Sequence, residues 1–175
     1  MADLAELVAS RIVDVPDFPK PGILFKDLTP LFADGPAFRE VIDGIVAYHG
    51  AGSFDVVAGI EARGFLIAAA IAYATGLGVV PVRKAGKLPR ATHRASYELE
   101  YGEAALEVHE DAFAPGERVL VVDDVLATGG TAATTLDLVE RAGGTVAAFT
   151  VLLELSFLPG RERLAPREVH ALLTV

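Results

Sequence analysis

Apolar positions along the chain switch between two periods, and the switches mark out the elements. Leu4, Leu7, Val8, Ala9 and Ile12 recur at helical spacing and predict a first helix over 3–13, with Asp3 as its N-cap. Phe38, Val41, Ile42, Ile45 and Val46 share one face of a helix over 34–48, which Gly50-Ala51-Gly52 ends. Residues 54–60, 78–82, 119–122 and 145–153 are instead short, mostly apolar runs without alternation, the pattern of strands buried on both faces of a parallel sheet. An apolar helix over 65–75 follows the first of these. A second, with Leu136, Val139 and Ala142 on one face, follows the third and closes at Gly143-Gly144. A hairpin return over 104–108, a short helix near 160–164 and a last strand over 169–175 complete the pattern. Strands alternating with helices predict an α/β fold: one domain over 1–175, with a mainly parallel central sheet flanked by helices.

Two loops in this pattern carry chemistry. The run Val119 to Val122 ends in Asp123 and Asp124, then Val125 and Leu126, then Ala127-Thr128-Gly129-Gly130-Thr131 at a helix start. Ligands of open α/β sheets bind beyond the C-terminal ends of the strands. Small residues there leave backbone N–H groups uncovered, the following helix adds its positive end, and Thr128 and Thr131 add hydroxyls. That is a cradle for a phosphate monoester. Asp123 and Asp124 repel a phosphate but accept hydrogen bonds from vicinal hydroxyls, so acids and cradle together describe a sugar phosphate. The second loop, Glu61-Ala62-Arg63-Gly64, also opens a helix. An arginine at a helix N-terminus is unfavourable without an anion, so Arg63 points to one.

Two further stretches stand apart from the strand–helix alternation. Residues 14–31 hold Pro16, Pro19, Pro21 and Pro30, which forbid a long helix, yet Phe18, Ile23, Leu24 and Phe25 are too apolar for a free linker. The segment reads as packed structure or a lid. Residues 83–94 form the one basic cluster of the chain, and 83–102 reads as a flexible loop able to close over an anionic ligand and exclude water.

Composition narrows the classes. The net charge of −9 excludes non-specific nucleic-acid binding, and no apolar run is long enough to cross a membrane. The N-terminus is acidic and amphipathic rather than a signal peptide, and with no cysteine there are no disulfides, so a cytoplasmic enzyme fits. There is no Walker A sequence, no G-x-G-x-x-G after a strand, no H-E-x-x-H and no G-x-S-x-G. The four histidines read as surface residues rather than metal ligands. Asn and Gln are also missing, so no side-chain amide reads a ligand, and recognition falls to backbone, hydroxyl and charged groups.

The stretch VLVVDDVLATGGT resembles the phosphoribosyl diphosphate (PRPP) motif of type I phosphoribosyltransferases. GIEARGF, FPKPGILFKDLTP and VRKAGKLP followed by YELEYG are similar to the adenine-specific branch, and the resemblance runs over nearly the whole chain. It implies transfer of 5-phosphoribosyl from PRPP to adenine, giving AMP and diphosphate in purine salvage, with Mg²⁺ brought in by PRPP and no metal held by the protein alone. By the same resemblance, Asp123, Asp124 and Ala127 to Thr131 bind the ribose and its 5′-phosphate. Glu61, Ala62, Arg63, Lys84 and Lys87 meet the diphosphate. Residues 14–31 form a hood in which Leu24, Phe25 and Lys26 enclose adenine, with Val125 and Leu158 against the ring. Glu100, Tyr101 and Arg63 take the catalytic roles, and a homodimer is expected. A transferase for another base, or a PRPP-sensing regulator without turnover, are the alternatives.

Overall fold

The computed structural model describes residues 4–98 and 103–175. The chain runs α1 (Leu4–Ala9), β1 (Val13–Pro16), β2 (Leu24–Asp27), α2 (Thr29–Ala33), α3 (Gly35–His49), β3 (Val56–Ile60), α4 (Gly64–Thr75) and β4 (Gly78–Lys84). It continues through β5 (Thr92–Glu98), β6 (Glu103–His109), β7 (Arg118–Leu126), α5 (Gly130–Arg141), β8 (Thr145–Glu154), α6 (Gly160–Leu164) and β9 (Val169–Thr174). Seven strands form one sheet in the order β5-β6-β4-β3-β7-β8-β9. The pairs β3–β4, β3–β7, β7–β8 and β8–β9 are parallel, while β4–β6 and β5–β6 are antiparallel. The mainly parallel α/β sheet expected from the apolar runs is thus present, with an antiparallel edge.

β7 shows why those runs lack alternation. Leu120 and Val122 pack into a core layer with α3 and α4, while Val119 and Val121 pack into the opposite layer with Leu136 and Val139 of α5. Both faces are covered, so both parities are apolar. The acids at the strand end do not terminate it. β7 runs on to Leu126 because β8 keeps pairing with it, Asp123 opposite Val151 and Val125 opposite Leu153. On its other side the last partner is Gly59, opposite Val122, so Asp123 and Asp124 emerge just past the end of β3. From β3 the chain moves outward to β4 and returns on the opposite side at β7. The two strand ends flank a topological switch point, where open α/β sheets place their ligands.

Several boundaries differ from the sequence expectation. α1 covers only Leu4–Ala9, and the expected cap Asp3 lies outside the described residues. α3 starts at Gly35, with Asp34 as its N-cap accepting from the Ala37 N–H at 3.1 Å. The proline-rich segment is an ordered hairpin, β1 against β2 from Val13↔Asp27 to Pro16↔Leu24, followed at once by α2. Its turn uses Asp17 at φ 57°, with the Asp17 carboxylate accepting from Gly22 N–H at 2.7 Å.

Two histidines also depart from a surface reading. His49 and His170 are partly buried beside β8, with His49 Nε2 2.7 Å from Thr150 Oγ1 and the His170 ring stacked on Tyr48 at 3.6 Å. Burial pushes the His170 imidazole down to about 4, which keeps it neutral at pH 7. Among the described residues, no helix is long and apolar enough to cross a membrane.

Candidate active site

The loops after β3 and β7, the hairpin β1–β2 and the β8–α6 connection converge on one cleft of about 700 Å³. Glu61, Ala62 and Arg63 enter from the β3 loop, and Lys84 from the end of β4. Asp123, Asp124, Val125, Ala127 and Thr131 enter from β7 and its loop, Leu24, Phe25 and Lys26 from the hairpin, and Leu158 from beyond β8. An adjoining hollow of about 90 Å³ is lined by Thr128, Gly129, Gly130 and Thr131. The cleft has the size of a small-molecule site, and the hollow is bounded by the N-terminus of α5.

Close backbone packing builds the cradle. Gly129 caps α5 at φ 80°, and a β-carbon there would lie 2.8 Å from the Gly160 carbonyl oxygen. Gly160 in turn lies so near the Ala127 carbonyl that a β-carbon would overlap it. Sequence reasoning gave Gly160 only a place at the start of a short helix; in the structure it packs directly behind the cradle loop at Ala127 and Gly129. α6 is held there by Arg161, which donates to the buried Glu154 carboxylate at 2.8 and 2.5 Å. That hydrogen bonding keeps Glu154 below the usual carboxylate range.

Charges assigned to different parts of the ligand meet each other in the free site. Arg63, expected to grip the diphosphate, donates through Nε to Asp124, expected to hold the ribose. The Asp124 side chain is 7% exposed and that of Arg63 44%. The guanidinium also lies 5.7 Å from the centre of the Phe25 ring, a cation–π arrangement. Burial, reinforced by the neighbouring Asp124 charge, pushes the Asp123 carboxyl well above its ordinary value. Asp27 in the hairpin is held below its usual value, first by the Thr29 N–H and hydroxyl, with Arg63 adding to the effect.

Several of the expected site residues also have partners within the protein. Glu61 lines the cleft, and its carboxylate accepts from Arg83 Nε at 3.2 Å and from the Lys84 N–H at 3.0 Å, which fixes the end of β4. Lys26 lines the cleft with its ammonium paired to Asp14 at 2.7 Å across the hairpin. The basic segment is largely ordered where it is described, because β5 pairs with β6 through seven residues from Thr92↔His109 to Glu98↔Glu103. The preceding turn is pinned by buried Glu107, which accepts from the N–H groups of Lys87 and Leu88, each at 2.8 Å. Burial opposes the Glu107 charge, but those N–H groups and that of Gly86 outweigh it and keep its carboxyl below the usual range. Lys87 does not line the cleft in this arrangement, whereas Lys84 does. Glu100 and Tyr101 lie outside the described residues.

Phe25 sits as expected on the cleft wall, braced edge-on by Phe18 at 5.1 Å. Tyr97 also lines the cleft, and sequence reasoning gave it no role. Its signal was only its place at the head of the YELEYG stretch.

A family model of the phosphoribosyl transferase domain matches residues 32–169, so the chain belongs to the phosphoribosyltransferases. Within them it falls among the adenine phosphoribosyltransferases. A protein of that name from Salinispora tropica is 79% identical over 173 residues, 99% of this chain and 92% of the relative. The adenine phosphoribosyltransferase of Thermoanaerobacter pseudethanolicus superimposes with a TM-score of 0.93 at 47% identity, covering 98% of this chain and 99% of its own. The Saccharomyces cerevisiae enzyme, solved with adenine and an imino-altritol bisphosphate, gives a TM-score of 0.94 at 38% identity, covering 99% and 100%.

Proposed function

We propose that the protein transfers the 5-phosphoribosyl group of PRPP to adenine, releasing AMP and diphosphate. The observation that carries this reading is one cleft joining an acid pair at a strand end, a small-residue cradle at a helix start and an aromatic hairpin wall. The base nitrogen forms its bond to the ribose anomeric carbon as the bond to the diphosphate oxygen breaks, and the proton lost by the base passes to the released diphosphate or to solvent. No protein nucleophile is needed.

The chain's own groups align and stabilise. Thr128 to Thr131 take the 5′-phosphate, and the Asp123–Asp124 pair accepts the ribose hydroxyls. Phe25 and Leu158 confine the base, and Arg63 and Lys84 meet charge growing on the leaving diphosphate. Arg63 must leave Asp124 to do so, and that exchange frees the acid for the sugar at the moment the diphosphate arrives. PRPP enters as its Mg²⁺ complex, a substrate form suited to a cleft that carries the carboxylates Glu61, Asp123 and Asp124. The absence of cysteine from the sequence supports a cytoplasmic setting.

The surface of α4 supports a homodimer. This helix is apolar all round, yet Leu66 and Tyr73 are 51% and 91% exposed, beside Val79 of β4 at 47%. An apolar stripe left in water marks an interface, and a second copy covers it most simply through a two-fold axis. Sedimentation velocity on Tyr73→Arg should show a monomer where the parent shows a dimer; equal profiles would place the interface elsewhere.

The reaction is tested with purified protein, PRPP and Mg²⁺, offering adenine, hypoxanthine, guanine and xanthine separately. AMP formed from adenine alone is the expected result. Turnover of an oxopurine would overturn the base assignment, and PRPP binding without turnover would favour a sensor.

A further inference from the structure

We propose that Tyr97 is a positioning residue for the 5′-phosphate of PRPP, its hydroxyl backing Thr131 in the cradle. The inference rests on the reading of residues 127–131 as the phosphate site. Thr131 Oγ1 donates to Tyr97 Oη at 3.1 Å. The Tyr97 ring lies along the start of α5, where a β-carbon on Gly130 would come within 3.2 Å of its Cδ2. A second tie, from Arg141 Nη1 to the Arg94 carbonyl at 3.1 Å, holds β5 against the other end of the same helix. The placement of Tyr97 is therefore built by two elements and is not a chance rotamer.

The chemistry turns on one hydrogen. A threonine hydroxyl has a single O–H to give and lone pairs to receive with. In the free cradle Thr131 gives that hydrogen to Tyr97. A phosphate entering the cradle brings only acceptors, so Thr131 turns its hydrogen to the ligand and presents a lone pair to the phenol. Tyr97 then donates to Thr131, and the hydrogen bond between the two reverses. The chain from phenol to threonine to phosphate polarises in one direction, which strengthens the contact with the anion. Phenylalanine fills the same space and cannot reverse, so it leaves the threonine without its second partner.

Steady-state kinetics on a double-mutant cycle tests this. Tyr97→Phe should raise KM for PRPP about 5- to 10-fold, leaving kcat and KM for adenine within about twofold. In a Thr131→Val background the same change should add less than about twofold, while in Thr131→Ser, which keeps the hydroxyl, it should have its full effect. An unchanged KM for PRPP, full additivity in Thr131→Val, or an equal rise in KM for adenine would overturn the role of Tyr97 while leaving the transferase reading in place. A parent protein that turns over no base and binds no PRPP would overturn the reading beneath it.

Discussion

Arg63→Ala lowers kcat/KM for PRPP by about 10²- to 10³-fold and changes KM for adenine far less. The magnitude is that of removing one preorganised donor from a site where negative charge develops. In the free protein the guanidinium is engaged with Asp124, so PRPP must first separate the two. A diphosphate carries more charge than a carboxylate and takes the planar fork in two parallel hydrogen bonds, so the exchange favours the ligand. Arg63→Lys keeps the charge and loses the fork, and should fall between the two proteins.

The same substitution carries a second signature. Asp124 is 5% exposed and would remain without its cation beside Asp123, whose carboxyl burial already pushes up. The half-exposed arginine weakens the pair on its open side, so the loss of stability at pH 7 is set at about 1–3 kcal/mol. Initial rates at varied PRPP and adenine, with thermal melts in parallel, read both effects. Parent-like kinetics would remove Arg63 from the diphosphate site, whatever the melt shows.

The placement of Arg63 also marks where sequence reasoning stops. The loop after β3 was legible, because an apolar run followed by small residues and a helix has one physical reading. That its arginine pairs with an acid 61 positions later was not, since ion pairs across a sheet follow strand order rather than spacing. β7 was read as a strand and cut short at its acids, because the partner that extends it, β8, appears in no local pattern. The hairpin β1–β2 was missed for a different reason. Four-residue strands on either side of a proline-rich turn have no measurable period, and the pairing depends on the Asp17 turn and the Asp14–Lys26 contact. Glu107 looked like one acid in an acidic chain. Its importance lies in the N–H groups that a turn 20 residues earlier presents to it.

Gly160→Ala should be the most damaging single methyl in the protein. The added carbon would overlap the Ala127 carbonyl oxygen and lie 2.9 Å from Leu126 Cγ. The leucine can rotate, but the carbonyl belongs to the backbone of the cradle, so either that loop or α6 must move. The Arg161–Glu154 bridge resists movement of α6, and the strain passes to residues 127–130. Overpacking of this kind costs about 1–3 kcal/mol. A displacement near 1 Å in a positioning loop costs about 10²-fold in turnover. The expected result is therefore a loss of that order in kcat/KM for PRPP with a modest fall in melting temperature. Gly35→Ala is the control, since its β-carbon meets nothing within 4 Å, and it should match the parent in kinetics. Undiminished use of PRPP by a folded Gly160→Ala protein would mean that the phosphate sits elsewhere than the hollow over α5. The reading of residues 127–131, and of Tyr97 with it, would then have to be given up.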